Sequence, residues 1–348
     1  MTEIMMNLSW QQFLMSHGAI LTEAGVQSFG DVAAEHLALR EHTILCDLSQ
    51  FGTLRVSGEE AQSFLNNMLS SDVANLAIGQ AQYSSFNSAK GRVLATMVVA
   101  RDDLGFVLTL PQSLVAAMHK KLSMFVFRSK VKLVDVTEQQ VRLGLAGTHA
   151  AEVLQRQFGN APLTPMTVVT ADNISVTCLA ENRFQLEMAA DQAPLIWLAL
   201  AATVKPVASA SWDWLAIRAG VPVVLPATQE AYVLQMINLD LIGGVSFKKG
   251  CYPGQEIVAR MHYLGKLKRR MYLAHIESEL PPQAGDELFS AEMDGQASGT
   301  IVNASAAPTG GYDVLAVLQI ASRDTQSIHL ASLTGPVLAF QSLPYSLP

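Results

Sequence analysis

The sequence predicts an α+β protein with a small all-β domain at its C-terminal end, on three observations. Between residues 52 and 188, short runs with strand-like alternation are mixed with stretches of helical period. After Arg270 the helical period disappears, and short apolar runs are separated by Pro and Gly turns. The chain has 348 residues, 50% hydrophobic and 15% charged, with mean hydropathy +0.25, enough apolar material for more than one core.

In chain order, Leu54 and Val56 alternate with Thr53, Arg55 and Ser57, which predicts a strand. Ser57-Gly58-Glu59-Glu60 has the S-x-x-E form of a capping box. It precedes Ala61, Phe64, Leu65, Met68 and Leu69, which recur at helical spacing. Residues 93–100 and 105–110 flank Arg101-Asp102-Asp103-Leu104 as a hairpin, and an amphipathic helix follows over 112–125. A strand is expected at 131–136, and 141–147 leads into a helix ending near Gly159. Further strands are expected near 165–170, 174–179 and 183–188. The C-terminal runs fall at 271–276, 287–290, 299–302, 312–320, 328–330 and 337–341. Pro281-Pro282, Ala284-Gly285-Asp286, Pro308-Thr309-Gly310-Gly311 and Gly335-Pro336 separate them, so a β-barrel or sandwich is expected over 272–348, joined to a body over 1–271.

Composition excludes several classes. The longest nearly uncharged apolar run, 193–204, stops at Lys205, short of the roughly 20 residues a membrane helix needs. Met1 to Met6 carry an acid, Glu3, where a signal peptide wants basic residues, so a cytoplasmic protein is expected. Cys46, Cys178 and Cys251 stand 132 and 73 residues apart, with no disulfide framework and no metal-ligand spacing. The net charge of −7 argues against a nucleic-acid coat. Phosphate-loop, zinc-protease, nucleophile-elbow and dinucleotide fingerprints are missing.

One segment departs from this average. Lys248, Lys249, Arg260, Lys266, Lys268, Arg269 and Arg270 face a single acid, Glu256, so residues 248–270 carry +6 and the rest of the chain −13. Such a strip is either a solvated face or a site for a phosphate, a carboxylate tail or an RNA backbone. Within it lies Cys251, preceded by two lysines and flanked by Gly250 and Gly254. Pro253 suits the first turn of a helix through 256–259. A nearby ammonium and a helix N-terminus both favour thiolate, so Cys251 is the candidate reactive cysteine. Cys46 and Cys178, within apolar runs, read as buried fillers. Gln255 and Glu256 either bond an amide-like ligand edge or cap the helix. His262, eleven residues on, would lie about 16 Å away along a helix and serves as a base for Cys251 only if a turn intervenes.

Lys249-Gly250-Cys251-Tyr252-Pro253-Gly254-Gln255-Glu256 resembles the K-G-C-[FY]-x-G-Q-E signature of the YgfZ family, folate-binding proteins related to the aminomethyltransferase of the glycine cleavage system. Asp47-Leu48-Ser49 with Gly52 and Val56-Ser57-Gly58 is similar to the opening of that superfamily. Arg218-Ala219-Gly220-Val221-Pro222 and Gln235 to Asp240 resemble the stretch before the signature. The resemblance implies two interleaved α/β folate-binding lobes plus a C-terminal β-barrel around a central folate-sized opening. It also implies tetrahydrofolate or a derivative as ligand, and a role in assembly or repair of iron–sulfur clusters in client enzymes, with a link to tRNA modification. The motif cysteine is the residue on which that role depends, through thiol exchange, shielding of a damaged cluster or transient iron ligation.

Two departures set the chain apart from the transferases. Their G-G-I-x-D-D pattern is replaced by Gly91-Arg92-Val93-Leu94-Ala95-Thr96, so Ala95 and Thr96 stand where the acidic pair is expected, which argues against an active aminomethyltransferase. Arg218 stands where they carry a pterin-contacting Glu. The cationic candidates for holding folate are Lys90, Arg92, Arg128, Arg218 and Lys249. Two other functions remain open at this point: a folate-dependent one-carbon or demethylating enzyme, and an RNA or protein interaction module using 248–270.

Overall fold

The computed structural model describes residues 7–348; the opening Met1 to Met6 lie outside the described residues. The chain forms two compact units, each drawn from three stretches. The first takes residues up to 64, 74–82 and 98–212, and the second 65–73, 83–97 and 213–348. The helices are α1 (Leu8–Ser16), α2 (Val32–Glu41), α3 (Ala61–Met68), α4 (Gln112–Val126), α5 (Ala150–Phe158), α6 (Ala193–Ala201), α7 (Ser209–Arg218), α8 (Gln255–Tyr263) and α9 (Ile320–Thr325). None among the described residues is long and apolar enough to cross a membrane.

In the first unit, a six-stranded sheet runs in the order Val168–Ala171, Ile174–Ala180, Arg183–Ala189, Gln140–Ala146, Ile44–Asp47, Lys205–Val207. All its pairs are antiparallel except the last. Val141, Leu143 and Leu145 point from one strand into a core shared with Trp10 and Leu14 of α1, Val153 and Leu154 of α5, and Trp197 and Leu200 of α6. Period-two burial there requires the opposite face to be accommodated too: a Cβ on Gly144 would enter the Trp212 ring. The apolar run that ends before Lys205 is thus α6 and the turn after it. The capping-box expectation fails. Ser57 ends the strand Phe51–Ser57, and Glu59 and Glu60 reach instead to Lys130, 2.7 Å to its Nζ and 2.5 Å to its backbone N–H.

The second unit is built on a six-stranded sheet ordered His329–Leu330, Glu287–Phe289, Ala297–Ala306, Tyr312–Gln319, Arg269–Ile276, Leu338–Gln341. Val337, beside the last strand, bridges His329 in the first, so the sheet curls toward closure. Both faces are apolar. Met271, Leu273, Leu315 and Val317 pack with Val93, Ile217, Leu234, Leu239 and Val258. The alternate residues Tyr272, Ala274, Ile276, Val314, Ala316 and Leu318 join Leu288, Ile301 and Ile328 on the other face. Burial on both sides explains the unbroken apolar runs. The C-terminal stretch is not free of helix: α9 follows directly from the strand Tyr312–Gln319, a single turn and a half too short for its period to show.

Candidate functional site

The signature segment lies in the second unit and is held at both ends. Upstream, the Gly244 N–H donates to the Leu239 carbonyl at 2.7 Å and the Ser246 N–H to the Ser70 carbonyl at 2.9 Å. The Ser70 hydroxyl donates to the Gly244 carbonyl at 2.6 Å and accepts from the Ser85 N–H at 2.9 Å. Ser71 Oγ donates to Ser84 Oγ at 2.7 Å, and Ser85 Oγ to Asn87 Oδ1 at 3.0 Å. The serine doublets at 70–71 and 84–85 are fully buried and form a polar seam. Such doublets in apolar surroundings are the sequence signal that could have located this wall, because buried hydroxyls need internal partners.

At the start of the signature, the Lys249 ammonium donates to the carbonyls of Asn66, Leu69 (2.6 Å) and Ser71 (2.8 Å). It also lies 5.2 Å from the centre of the Tyr252 ring. Burial lowers the Lys249 pKa to about 8, with Asp72 opposing the shift. Burial likewise raises the phenol of Tyr252, which is 6% exposed. At the far end, Gly254 caps α8 with φ +78°, and a Cβ there would collide with Gly91 and lie 2.6 Å from the Ser88 carbonyl. Pro253 therefore precedes the cap instead of occupying the first turn, and Gly250 has open space around it. Gln255 turns back, its amide donating to the Lys249 carbonyl at 3.3 Å, while Glu256 is exposed in the first turn of α8.

Between these anchors Cys251 is exposed, whereas Cys46 and Cys178 are buried. His262 is in the last turn of α8, with its ring stacked on Phe247 at 3.7 Å. Tyr263 meets both rings edge-on. The basic strip divides. Arg270 is 7% exposed and pairs with both oxygens of Asp240 at 2.7 and 2.8 Å, and Lys249 is directed inward as described. Lys248, Arg260, Lys266 and Lys268 are exposed and Arg269 is partly so.

The turn that docks on Gly254 carries two of the cationic candidates. Lys90 and Arg92 line a cleft of ≈ 620 Å³ with Ser88, Ala89, Glu230 and Ala231. Arg92 donates to the Ala231 carbonyl at 2.8 Å, whereas Lys90 is exposed. Glu230 and Ala231 gave no signal in the sequence, since they reach this turn through the bridge between Arg92 and Val233. Arg218 is engaged elsewhere: it bonds Gln341, pairs with Asp313 at 3.5 Å and lies over the Trp214 ring. Arg128 is exposed, over the Phe127 ring, in the first unit. Ala95 and Thr96 are buried, and Thr96 Oγ1 accepts from the Val224 N–H at 3.0 Å, so no carboxylate stands at either position.

Residues 11–203 match the GCVT N-terminal domain family. Over 313 residues the chain is 29% identical to the tRNA-modifying protein YgfZ of Colwellia psychrerythraea, covering 89% of this chain and 96% of that protein. Over 319 residues it is 30% identical to the tRNA-modifying protein YgfZ of Edwardsiella ictaluri, covering 90% and 95%. Its fold is that of the glycine cleavage system aminomethyltransferase T from Bartonella henselae, with TM-score 0.82 at 21% identity over 98% of both chains.

Proposed function

Because this chain belongs to the YgfZ family and carries a GCVT N-terminal domain, we propose that it is a tetrahydrofolate-binding accessory protein for assembly or repair of iron–sulfur clusters in client enzymes. The observation that carries this reading is Cys251, the exposed cysteine, presented at the centre of the family signature on a segment anchored at both ends. A thiol offered to solvent in this way is available to a client's cluster or persulfide chemistry, which a buried filler is not. The relatives are named tRNA-modifying proteins, and in this reading the link to tRNA would run through client enzymes that modify it.

A folate fits one feature of the chain's own residues. Its glutamate tail carries carboxylates, and Lys90 and Arg92 open onto one cleft beside the signature. Those two residues would hold the tail, with Glu230 on the same cleft limiting how many carboxylates are accepted. Aminomethyl transfer by an acidic pair is not available at Ala95 and Thr96. The test is calorimetric titration with reduced folates bearing one and five glutamates at low salt. Exposed ion pairs are worth roughly 0.2–1 kcal/mol each, so tail length should tighten binding several-fold, and Lys90→Glu should flatten that dependence. Absence of folate binding would defeat the proposal and leave the RNA or protein interaction module over 248–270 as the better reading. Loss of cluster-enzyme activity in cells carrying Cys251→Ala is the second expected outcome.

A further inference from the structure

The two lysines of the signature region have opposite fates. Lys248 is exposed, while the ammonium of its neighbour is surrounded by three carbonyl oxygens from the end of α3 and the chain that follows it. Asn66 lies in the last turn of α3, whose carbonyls have no partner within the helix, and a cation there is also favoured by the helix dipole. An ammonium has three N–H donors arranged as a tripod, and here all three have acceptors. A planar guanidinium fork does not match three oxygens converging on one atom. Besides the carbonyls, this ammonium faces the charged Asp72, on the same stretch as the carbonyls, and the neutral ring of Tyr252 on its own segment.

We propose that Lys249 is a positioning residue, neither a folate ligand nor the activator of the thiol, whose tripod of bonds ties the signature segment to the end of α3 and so fixes where Cys251 is presented. Gly250 then acts as the open joint, since nothing lies within 4 Å of its would-be Cβ. Gly254, locked against Ser88 and Gly91, is the second anchor. The inference rests on the reading of Cys251 as the working residue for its functional consequence, but its test involves neither folate nor a client protein.

Two measurements test it on the full chain. Reductive methylation of the native protein, mapped by peptide mass, should modify Lys249 at least about tenfold more slowly than Lys248, because the tripod must open first. Equal rates for the two lysines would overturn the proposal, and this measurement needs no variant. A nitroxide on Cys251 reports the segment directly, since the other two cysteines are buried. The wild-type spectrum should show an immobilised label, and Lys249→Met should convert it to a mobile one. Lys249→Arg, which keeps the charge and loses the tripod, should also leave the label mobile. An immobilised label in Lys249→Met, or order restored in full by arginine, would overturn it.

Discussion

The anchoring of the signature segment can be measured one glycine at a time. Gly254 has φ +78°, and an alanine Cβ there would run into Gly91 and come within 2.6 Å of the Ser88 carbonyl. Left-handed backbone costs a non-glycine residue roughly 1–2 kcal/mol, and the obstructing atoms are backbone, which cannot rotate aside as a side chain would. Together these place Gly254→Ala at about 3 kcal/mol of destabilisation, among the larger effects a single substitution produces. Gly91→Ala, at φ +70° with Ile257 Cβ at 3.1 Å and the Gly254 carbonyl at 3.2 Å, meets a softer neighbour and should cost about 1–2 kcal/mol. Gly250→Ala has ordinary φ and open space, so it should lie within about 0.5 kcal/mol of the parent or gain slightly through the unfolded chain. Urea titrations followed by tryptophan fluorescence and by amide exchange of 83–97 and 249–258 give the three values. If Gly250→Ala costs as much as Gly254→Ala, the anchor is not where the glycine geometry puts it.

Iodoacetamide labelling mapped by mass spectrometry should mark Cys251 long before Cys46 and Cys178, since only Cys251 is exposed, and preferential labelling of either other cysteine would contradict this. Cys251→Ala should shift the unfolding midpoint by no more than a degree or two, roughly the effect of an exposed surface substitution. Burial works against the charged imidazole of His275, but its hydrogen bonds to Asp313 at 2.8 Å and Glu277 at 3.1 Å outweigh burial and raise its pKa. The stability it contributes is complete below an unfolded value of about 6.5 and is lost as pH rises through the folded one. Urea midpoints at acid and mildly alkaline pH should therefore differ in the wild type, and His275→Gln should reduce that difference; an unchanged slope would exclude His275 as its source.

What the sequence made legible was whatever repeats along the chain. Alternation and helical spacing located the strands Val93–Asp102 and Gly105–Pro111, the helix α4 and the C-terminal strands to within a few residues, because those elements bury regular faces. Local matches without tertiary support were less reliable. Ser57-Gly58-Glu59-Glu60 satisfies the spacing of a capping box, yet Ser57 belongs to a strand and Glu59 and Glu60 are drawn to Lys130, seventy residues away in sequence. Between 219 and 254 the chain carries little regular structure and is ordered by long-range polar bonds that have no period to read. Asn238, at φ +59°, donates to the Met271 carbonyl at 2.9 Å, and Arg270 clamps both Asp240 and the Gln235 carbonyl.

The basic strip shows why counting charges locates a site more readily than it explains one. Seven cations near one acid distinguish 248–270 from the rest of an acidic chain, and the signature lies within that stretch. Charge along the sequence carries no direction, however, and two of the seven turn inward. Arg270, itself buried, meets the partly buried Asp240 carboxylate in bidentate geometry, where removing either partner strands the other and costs up to about 3–5 kcal/mol. Lys249 finds carbonyls that no sequence pattern marks as acceptors, because every residue has one. These are the two cations whose loss would disturb the framework around Cys251, and the cations left at the surface are the ones free to meet an anionic partner. A charge-reversal scan of the strip therefore separates partner binding from framework damage only if Lys249 and Arg270 are left intact.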